Sequence, residues 1–420
     1  MNLCKFYKIF TIWLIICCIS YACNSNNNDS NSQFYTSSAS QSNVQKNGKL
    51  TSISVDISLK GIVNYSDIFS NIDYKILSSP KGILVGKVDK LVNADSLFFL
   101  KSNGKIFIFT YTGQFLSKID QQGEAPNQYR AITDFIVDTK NKKVQVLDNH
   151  SFSVFEFNYK GQLIRNWKHG ILSFQFQQTS PEEYLFYADK ELVSSYNGRF
   201  LLYNKLKERV LSYYLPIDKR RIKYEGFLDV NNFYRYKNEL LISCSGNDTI
   251  FSYKSGIINP KYVFNFGTKA VSNDFYDKNM ESVVDFNNAR IKNEFAGLYY
   301  NSFAENDNIL ITQIVQAKSV YYLWFNKNKQ NYYLIDQFAD DLVFKGTRIR
   351  VGETFPMYFS DKKAFRILEP EVVINTLDSI RKSSSTDGWN KLISTNSNIA
   401  LLHKNVNLTS NPVIMIMTYK

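Results

Sequence analysis

The chain has 420 residues, of which 15% are aromatic (32 Phe and 28 Tyr), and a formal charge of +12. This length suits a single large all-β unit as well as two or three average domains, and aromatic residues favour a pleated, half-buried surface. The basic residues are scattered, and the densest run, Lys219, Arg220, Arg221 and Lys223, reads as a solvated loop, which argues against a nucleic-acid face. Four of the five cysteines fall in the first 23 residues, which excludes a disulfide framework or cysteine-rich zinc site in the body.

Residues 1–22 have the three parts of a secretory signal: Lys5 and Lys8, an apolar core over 9–19, and small residues before a break. The core is far shorter than the roughly twenty residues that span a bilayer, so it reads as a signal and not as a membrane helix. It ends in Ser20, Tyr21, Ala22 and Cys23, which resembles a bacterial lipobox. The resemblance implies that Cys23 becomes the lipidated N-terminus, although Ser20 and Tyr21 depart from the commonest form. Residues 23–50 are rich in Asn, Ser and Gln. Such a tract cannot bury enough surface to offset its ordering entropy, and is expected to be a flexible tether.

The body opens with Ile53, Val55, Ile57 and Leu59 alternating with polar residues, a half-buried strand over 51–59. Residues 412–419 form a near-continuous apolar strand at the other end. These two are expected to share a sheet and close a ring, because closure removes exposed edges. Between them, strand-like runs cluster at 83–120, 132–168, 171–216, 227–267, 299–337 and 342–420.

The first two clusters repeat each other over 97–167. At an offset of 48 residues, Phe107, Phe109, Tyr111, Gly113 and Gln114 fall on Phe155, Phe157, Tyr159, Gly161 and Gln162. Gly113 and Gly161 stand between apolar runs, where a hairpin needs positive φ. A period of about 40–50 residues with several short strands per unit is the signature of propeller blades. Two segments break the pattern. Residues 274–295 lack alternation and are expected to hold a helix. Residues 369–382 open with Glu-Pro-Glu and continue through Val372, Val373, Leu377 and Ile380 at helical spacing. The predicted fold class is therefore all-β: a six-bladed β-propeller over 51–420, with short helical insertions in the later blades.

Gly104 to Phe109, Thr112 to Leu116, Gly123 to Tyr129, Asp134 to Asp138, Val146 to Asp148 and the terminal Asn411, Pro412, Val413 and Ile414 are similar to the six-bladed β-propeller lipoproteins common in Bacteroidetes. The resemblance covers about 70–170 and the tail. It implies the same fold and a lipid-anchored place in the cell envelope, and brings no defined biochemistry. It departs at the blade-linking loop, where that family usually has a Gly-Pro-Gly-Glu-Tyr-like run and this chain has Ala125, Pro126, Asn127, Gln128 and Tyr129. If the family's glutamate binds a ligand, Gln128 lacks its charge. Some lipoproteins of this group carry acidic residues after the lipidated Cys for surface export; Asp29 alone is a poor match and leaves the membrane face undetermined.

His150, His169 and His403 have no metal-ligand spacing and read as loop or turn residues. No GxSxG elbow, phosphate loop or GxGxxG occurs. Asp120, Glu124, Asp134, Asp138 and Asp148 fall near blade edges, where propellers can gather carboxylates around calcium. However, Asp138 and Asp148 precede turn-like runs, and capping roles fit the set better. Asp340 and Asp341 read as a solvated loop, and Cys244 as a small buried hydrophobe. No catalytic set, metal site or cofactor is predicted. The leading expectation is a lipid-anchored, non-enzymatic binding or scaffold protein at the outer membrane of a bacterial envelope. Its partners would be the membrane and an envelope protein or glycan, without nucleic acid. The alternative is a hydrolase or lyase with a loop-carboxylate site, with or without calcium, at one channel mouth. The side chains lining the channel discriminate between the two.

Overall fold

The strand Lys105–Thr110 carries four consecutive buried residues, Ile106, Phe107, Ile108 and Phe109. Successive side chains of a strand leave opposite faces, so such a run means that both faces of its sheet are covered. Phe107 and Phe109 pack with Phe365, Ile414 and Ile416 on one side. Ile106 and Ile108 pack with Phe135, Val144 and Phe155 on the other. The same sandwiching recurs through the computed structural model, which describes the backbone of 44–47 and residues 50–188, 198–216, 218, 220, 231–278, 280–299, 302–353 and 357–420. All of these lie in the unit Tyr35–Lys420.

Among the described residues the strands form six sheets. The first three are four-stranded antiparallel meanders: Val88–Ala94, Leu97–Ser102, Lys105–Thr110 and Phe115–Ile119; Asp134–Asp138, Lys143–Asp148, Ser153–Asn158 and Leu163–Lys168; and Gln175–Gln178, Glu183–Tyr187, Phe200–Asn204 and Arg209–Tyr214. The fourth holds Phe233–Tyr236, Glu239–Ile242, Thr249–Lys254 and Ile257–Asn265. The fifth centres on Ile309–Gln316, Ser319–Asn326 and Asn331–Asp340, flanked by Phe303–Glu305 and Thr347–Arg350. The sixth joins Met357–Phe359, Lys363–Leu368 and Val413–Tyr419 to Phe69–Ile76. One hydrophobic cluster lies between each sheet and the next, and another between the sixth and the first. The fold is a β-propeller.

The repeat explains how neighbouring sheets dock. Gly113 and Gly161 have φ of 89° and 79° in the hairpin before each last strand. A Cβ on Gly113 would lie 2.4 Å from the Ile76 carbonyl oxygen, and one on Gly161 would lie 2.1 Å from that of Lys118. Each turn therefore presses on the outer strand of the preceding sheet, where only glycine fits. Phe155 and Phe157, the counterparts of Phe107 and Phe109, likewise face the preceding sheet.

Three expectations change. The run 51–59 does not meet the C-terminal strand. Leu50–Ser54 pairs in parallel with Ile257–Asn265, and Asp56 then caps the short 3-10 helix Ile57–Leu59 through the Ser58 N–H at 2.9 Å. Lys60–Asn64 pairs in parallel with Asn331–Asp340, and the partner of Val413–Tyr419 is Phe69–Ile76. Alternation requires only that one face be covered, and Ile53, Val55 and Ile57 are covered by the core between the fourth and fifth sheets. Residues 50–76 thus stitch the outer edges of three successive sheets. Second, Thr347–Arg350 belongs to the fifth sheet, not the sixth. Asp340 accepts from the Leu342 and Val343 N–H groups at 3.1 and 2.8 Å and turns the chain back onto its own strand. Third, the helix Pro370–Ser383 begins at its expected proline, but Thr386–Thr395 and Ser397–Asn405 follow it unannounced, capped by Ser385 and Asn396. Val373, Leu377, Trp389, Ile399 and Leu402 bury this insertion against the core of the fifth and sixth sheets. Helices Asn273–Tyr276 and Val283–Lys292 lie where the loss of alternation placed one.

Candidate functional site

The first strand of each sheet faces a shared centre. A cavity of about 240 Å³ is lined by residues 89–93, 134–137, 175–177, 231, 233–234, 302–303 and 357–360, one stretch from every sheet. Its lining mixes polar and apolar surface: Tyr234, Tyr358 and Phe359 are half-buried on it, whereas the rings of Phe135, Phe176, Phe233 and Phe303 are buried in the inter-sheet cores beside it. Burial pushes the hydroxyls of Tyr234 and Tyr358 well above the usual tyrosine range.

The charged part of the wall is a close pair beside the exposed Asp89. Lys90 Nζ donates to Asp134 Oδ1 at 2.7 Å, and Asp134 Oδ2 accepts the Phe176 N–H at 3.3 Å. Asp134 is only 4% exposed, so the ammonium and the amide replace its water. Lys90 also stands 5.3 Å from the centroid of Phe135. Lys101 is opposite Lys90 in register and donates to the Thr133 carbonyl at 3.3 Å. Burial holds its ammonium below the usual lysine range, against the pull of Asp134 and Asp89. Further round, Gln175 Oε1 accepts the Asn232 N–H at 2.8 Å, and Asn232 Nδ2 donates to the Ser243 carbonyl at 2.8 Å.

Of the five carboxylates singled out in sequence, only Asp134 lines the cavity. Asp120 is bridged by Lys105 at 2.9 Å and Lys118 at 2.7 Å; burial opposes its charge, but the two ammoniums hold it below the usual carboxylate range. Glu124 pairs with Arg130 at 3.1 Å on the surface. Asp138 closes its turn through the Asn141 N–H and Nδ2. Asp148 accepts from the Arg130 and His150 N–H groups, each at 2.9 Å, and from Ser151 Oγ at 2.7 Å. Asp340, read as solvated, is 1% exposed because it caps a buried turn, and burial raises its pKa. Asp341 accepts the Ser66 N–H at 2.9 Å. Among the described residues, no group of three His, Cys, Asp or Glu side chains could hold a metal ion.

His150 is a turn residue beside Asp148. His169 is buried after its strand, accepts the Ile171 N–H on Nδ1 at 3.1 Å and stacks on Phe186 at 4.6 Å. Burial drives its pKa down to about 3, so the ring is neutral. His403 is not a loop residue but part of the helix Ser397–Asn405, edge-on to Trp389 at 5.4 Å. Cys244 is a free, buried thiol in the core between the third and fourth sheets. Gln128 folds back on its own loop, its Oε1 accepting the Ala125 N–H at 3.1 Å. Beside it the buried Tyr129 hydroxyl donates to the Gly104 carbonyl at 3.0 Å and accepts the Gln121 N–H at 3.2 Å. Cys23, the signal over 1–22 and the tether as far as residue 43 lie outside the described residues.

Sequence reading missed Lys90, Gln175, Tyr234 and Phe303, which come from different sheets and share no local motif. The one signal that could have found them is position: each stands on, or at the edge of, the first strand of its cluster.

No curated protein matches the chain. Among solved structures it resembles a Bacteroides fragilis protein described as exported, at 15% identity and a TM-score of 0.66, over 88% of this chain and 99% of that one. At that identity the likeness shows a shared fold. A member of the DUF4221 family from Bacteroides vulgatus matches at 12% identity and a TM-score of 0.45, over 84% and 97% of the two chains. The WD40 domain of Neurospora crassa Pan2 matches at 14% identity and 0.35, over 70% and 81%. The model of a domain of unknown function, DUF4934, matches residues 50–418, and the chain belongs to that family.

Proposed function

We propose that this chain is a six-bladed propeller, tethered through a lipid on Cys23 to the outer membrane of a bacterial envelope, that binds or scaffolds an envelope protein or a glycan without catalysing a reaction. Six sheets separated by six cores support the blade count, with Phe69–Ile76 and Val413–Tyr419 closing the ring. The signal-like segment and lipobox support the location, as does the exported relative from Bacteroides fragilis. No helix of the described residues is long and apolar enough to cross a membrane.

The observation that carries the non-enzymatic reading is the channel wall. Of the two carboxylates on it, Asp134 is buried against Lys90 and a backbone amide and Asp89 is exposed, and the other singled-out carboxylates serve their own loops and lysines. A hydrolase or lyase would need an acid and a base, or a metal cage, facing a common substrate position. The test is capture of partners by the intact anchored protein from solubilised envelope, together with a glycan array. A specific partner in either supports the reading, and clean negatives in both sink it.

A further inference from the structure

The cavity at the centre of the ring is a built space with a definite chemical character. Its volume of about 240 Å³ falls below the range of about 300–1,000 Å³ of drug-sized sites. A single small ring fits it; a chain of rings does not.

Its charge and hydrogen-bonding groups narrow the class. Asp89, Lys90 and Asp134 on the wall and Lys101 one strand behind sum to zero, so the site favours neither a cation nor an anion. Lys90 spends one of its three N–H donors on Asp134, and each Asp134 oxygen accepts one bond and keeps a lone pair. A donor and an acceptor 2.7 Å apart match two adjacent hydroxyls, each of which both donates and accepts. Tyr234, half-buried, lines the same cavity, and no hydrogen bond of its hydroxyl occurs among the described residues. The half-buried Phe359 supplies an apolar face for the C–H side of a ring. A wholly apolar ligand would strand Tyr234 and desolvate Lys90 without return. A free carboxylate would meet Asp134 and Asp89.

We propose that this cavity takes one neutral polyol ring, a single sugar unit, held by the Lys90–Asp134 pair across adjacent hydroxyls, with Tyr234 as a further hydrogen-bonding partner. This rests on the reading of the chain as a binding propeller and names the class of ligand at its centre.

The test is saturation-transfer NMR on the full chain in detergent. The probes are D-glucose, D-galactose, D-mannose and N-acetyl-D-glucosamine, compared with D-glucuronate and L-phenylalanine, each at about 10 mM to reach weak affinities. At least one neutral sugar is expected to receive saturation. Asp134→Asn should weaken it about tenfold or more and Tyr234→Phe about threefold to tenfold, the loss of one or two hydrogen bonds. Tyr234→Phe removes a hydroxyl that bonds no group among the described residues, so it reads cleanly even if Asp134→Asn does not fold. Silence from every neutral sugar, preference for glucuronate or phenylalanine, or unchanged affinity in both variants would overturn the assignment. The outcome is separable from that of partner capture: a single ring that fills a cavity of about 240 Å³ leaves little room for the linker of an immobilised sugar. A bound free sugar with no captured partner therefore leaves this inference and the glycan-binding half of the proposed function standing, and removes the protein-scaffold half.

Discussion

Replacing His169 with asparagine isolates a buried histidine whose neutral form the fold requires. The ring stacks on Phe186 and accepts the Ile171 N–H on Nδ1, and burial lowers its pKa from 6.5 to about 3. Between those two values the unfolded chain holds a proton that the folded chain refuses, so the native state loses stability as pH falls through this window. At pH 5 the gap to the unfolded pKa is about 1.5 units, and at 1.36 kcal/mol per unit His169 costs about 2 kcal/mol that it does not cost at pH 7. In His169→Asn the side-chain oxygen can accept the same N–H, but nothing titrates. The lost stack is a constant that cancels between the two pH values. Urea unfolding of both proteins at pH 7 and pH 5 should therefore show the variant gaining about 2 kcal/mol on the wild type in the more acid buffer. A difference between the two proteins that does not move with pH would refute the claim that burial keeps this imidazole neutral.

Other perturbations address the architecture and the anchor. Gly113→Ala should cost more than Gly82→Ala: both have positive φ, worth about 1–2 kcal/mol of strain, but only at Gly113 does the new methyl meet a carbonyl at 2.4 Å, while Gly82 has nothing within 4 Å. Equal losses in chemical denaturation would mean that the repeat's turns do not dock the sheets. Glu156, 1% exposed and bridged by Lys143 at 3.1 Å and Arg165 at 3.0 Å, should cost about 2 kcal/mol as Glu156→Gln. That is less than the roughly 3–5 kcal/mol of a fully buried pair, because both cations can turn to solvent. Burial opposes its charge but the two cations hold its pKa low, so this advantage is present at neutral pH and fades as pH falls through the carboxylate range; a penalty as large at pH 3 as at pH 7 would contradict it. Cys23→Ser should move the protein from the membrane fraction to the soluble fraction, and unchanged partitioning would remove the lipid anchor from the proposal.

How much was legible in the sequence follows from the range of each interaction. Strand periodicity, glycine turns and helix starts depend on neighbours a few residues away. The blade repeat, the hairpin glycines Gly113 and Gly161, the proline-led helix Pro370–Ser383 and the buried Cys244 were therefore readable from the chain alone. The short helices Thr386–Thr395 and Ser397–Asn405 were harder to read, because each offers only one or two anchors, Trp389 or Ile399 and Leu402, in otherwise polar turns.

Pairing and convergence are decided elsewhere. The alternation at 51–59 specified a half-covered strand and could not say that the fourth sheet, rather than the sixth, would receive it. Asp340 looked like one half of an exposed acidic pair until a returning strand buried it. The cavity is the extreme case. Lys90 and Asp134 are 44 residues apart and meet at 2.7 Å, and Tyr234 and Phe303 reach the same space from later sheets. The sequence determined what each blade is made of. Only the closed ring decided which side chains face one another, because that depends on six inter-sheet cores setting the position of every first strand at once.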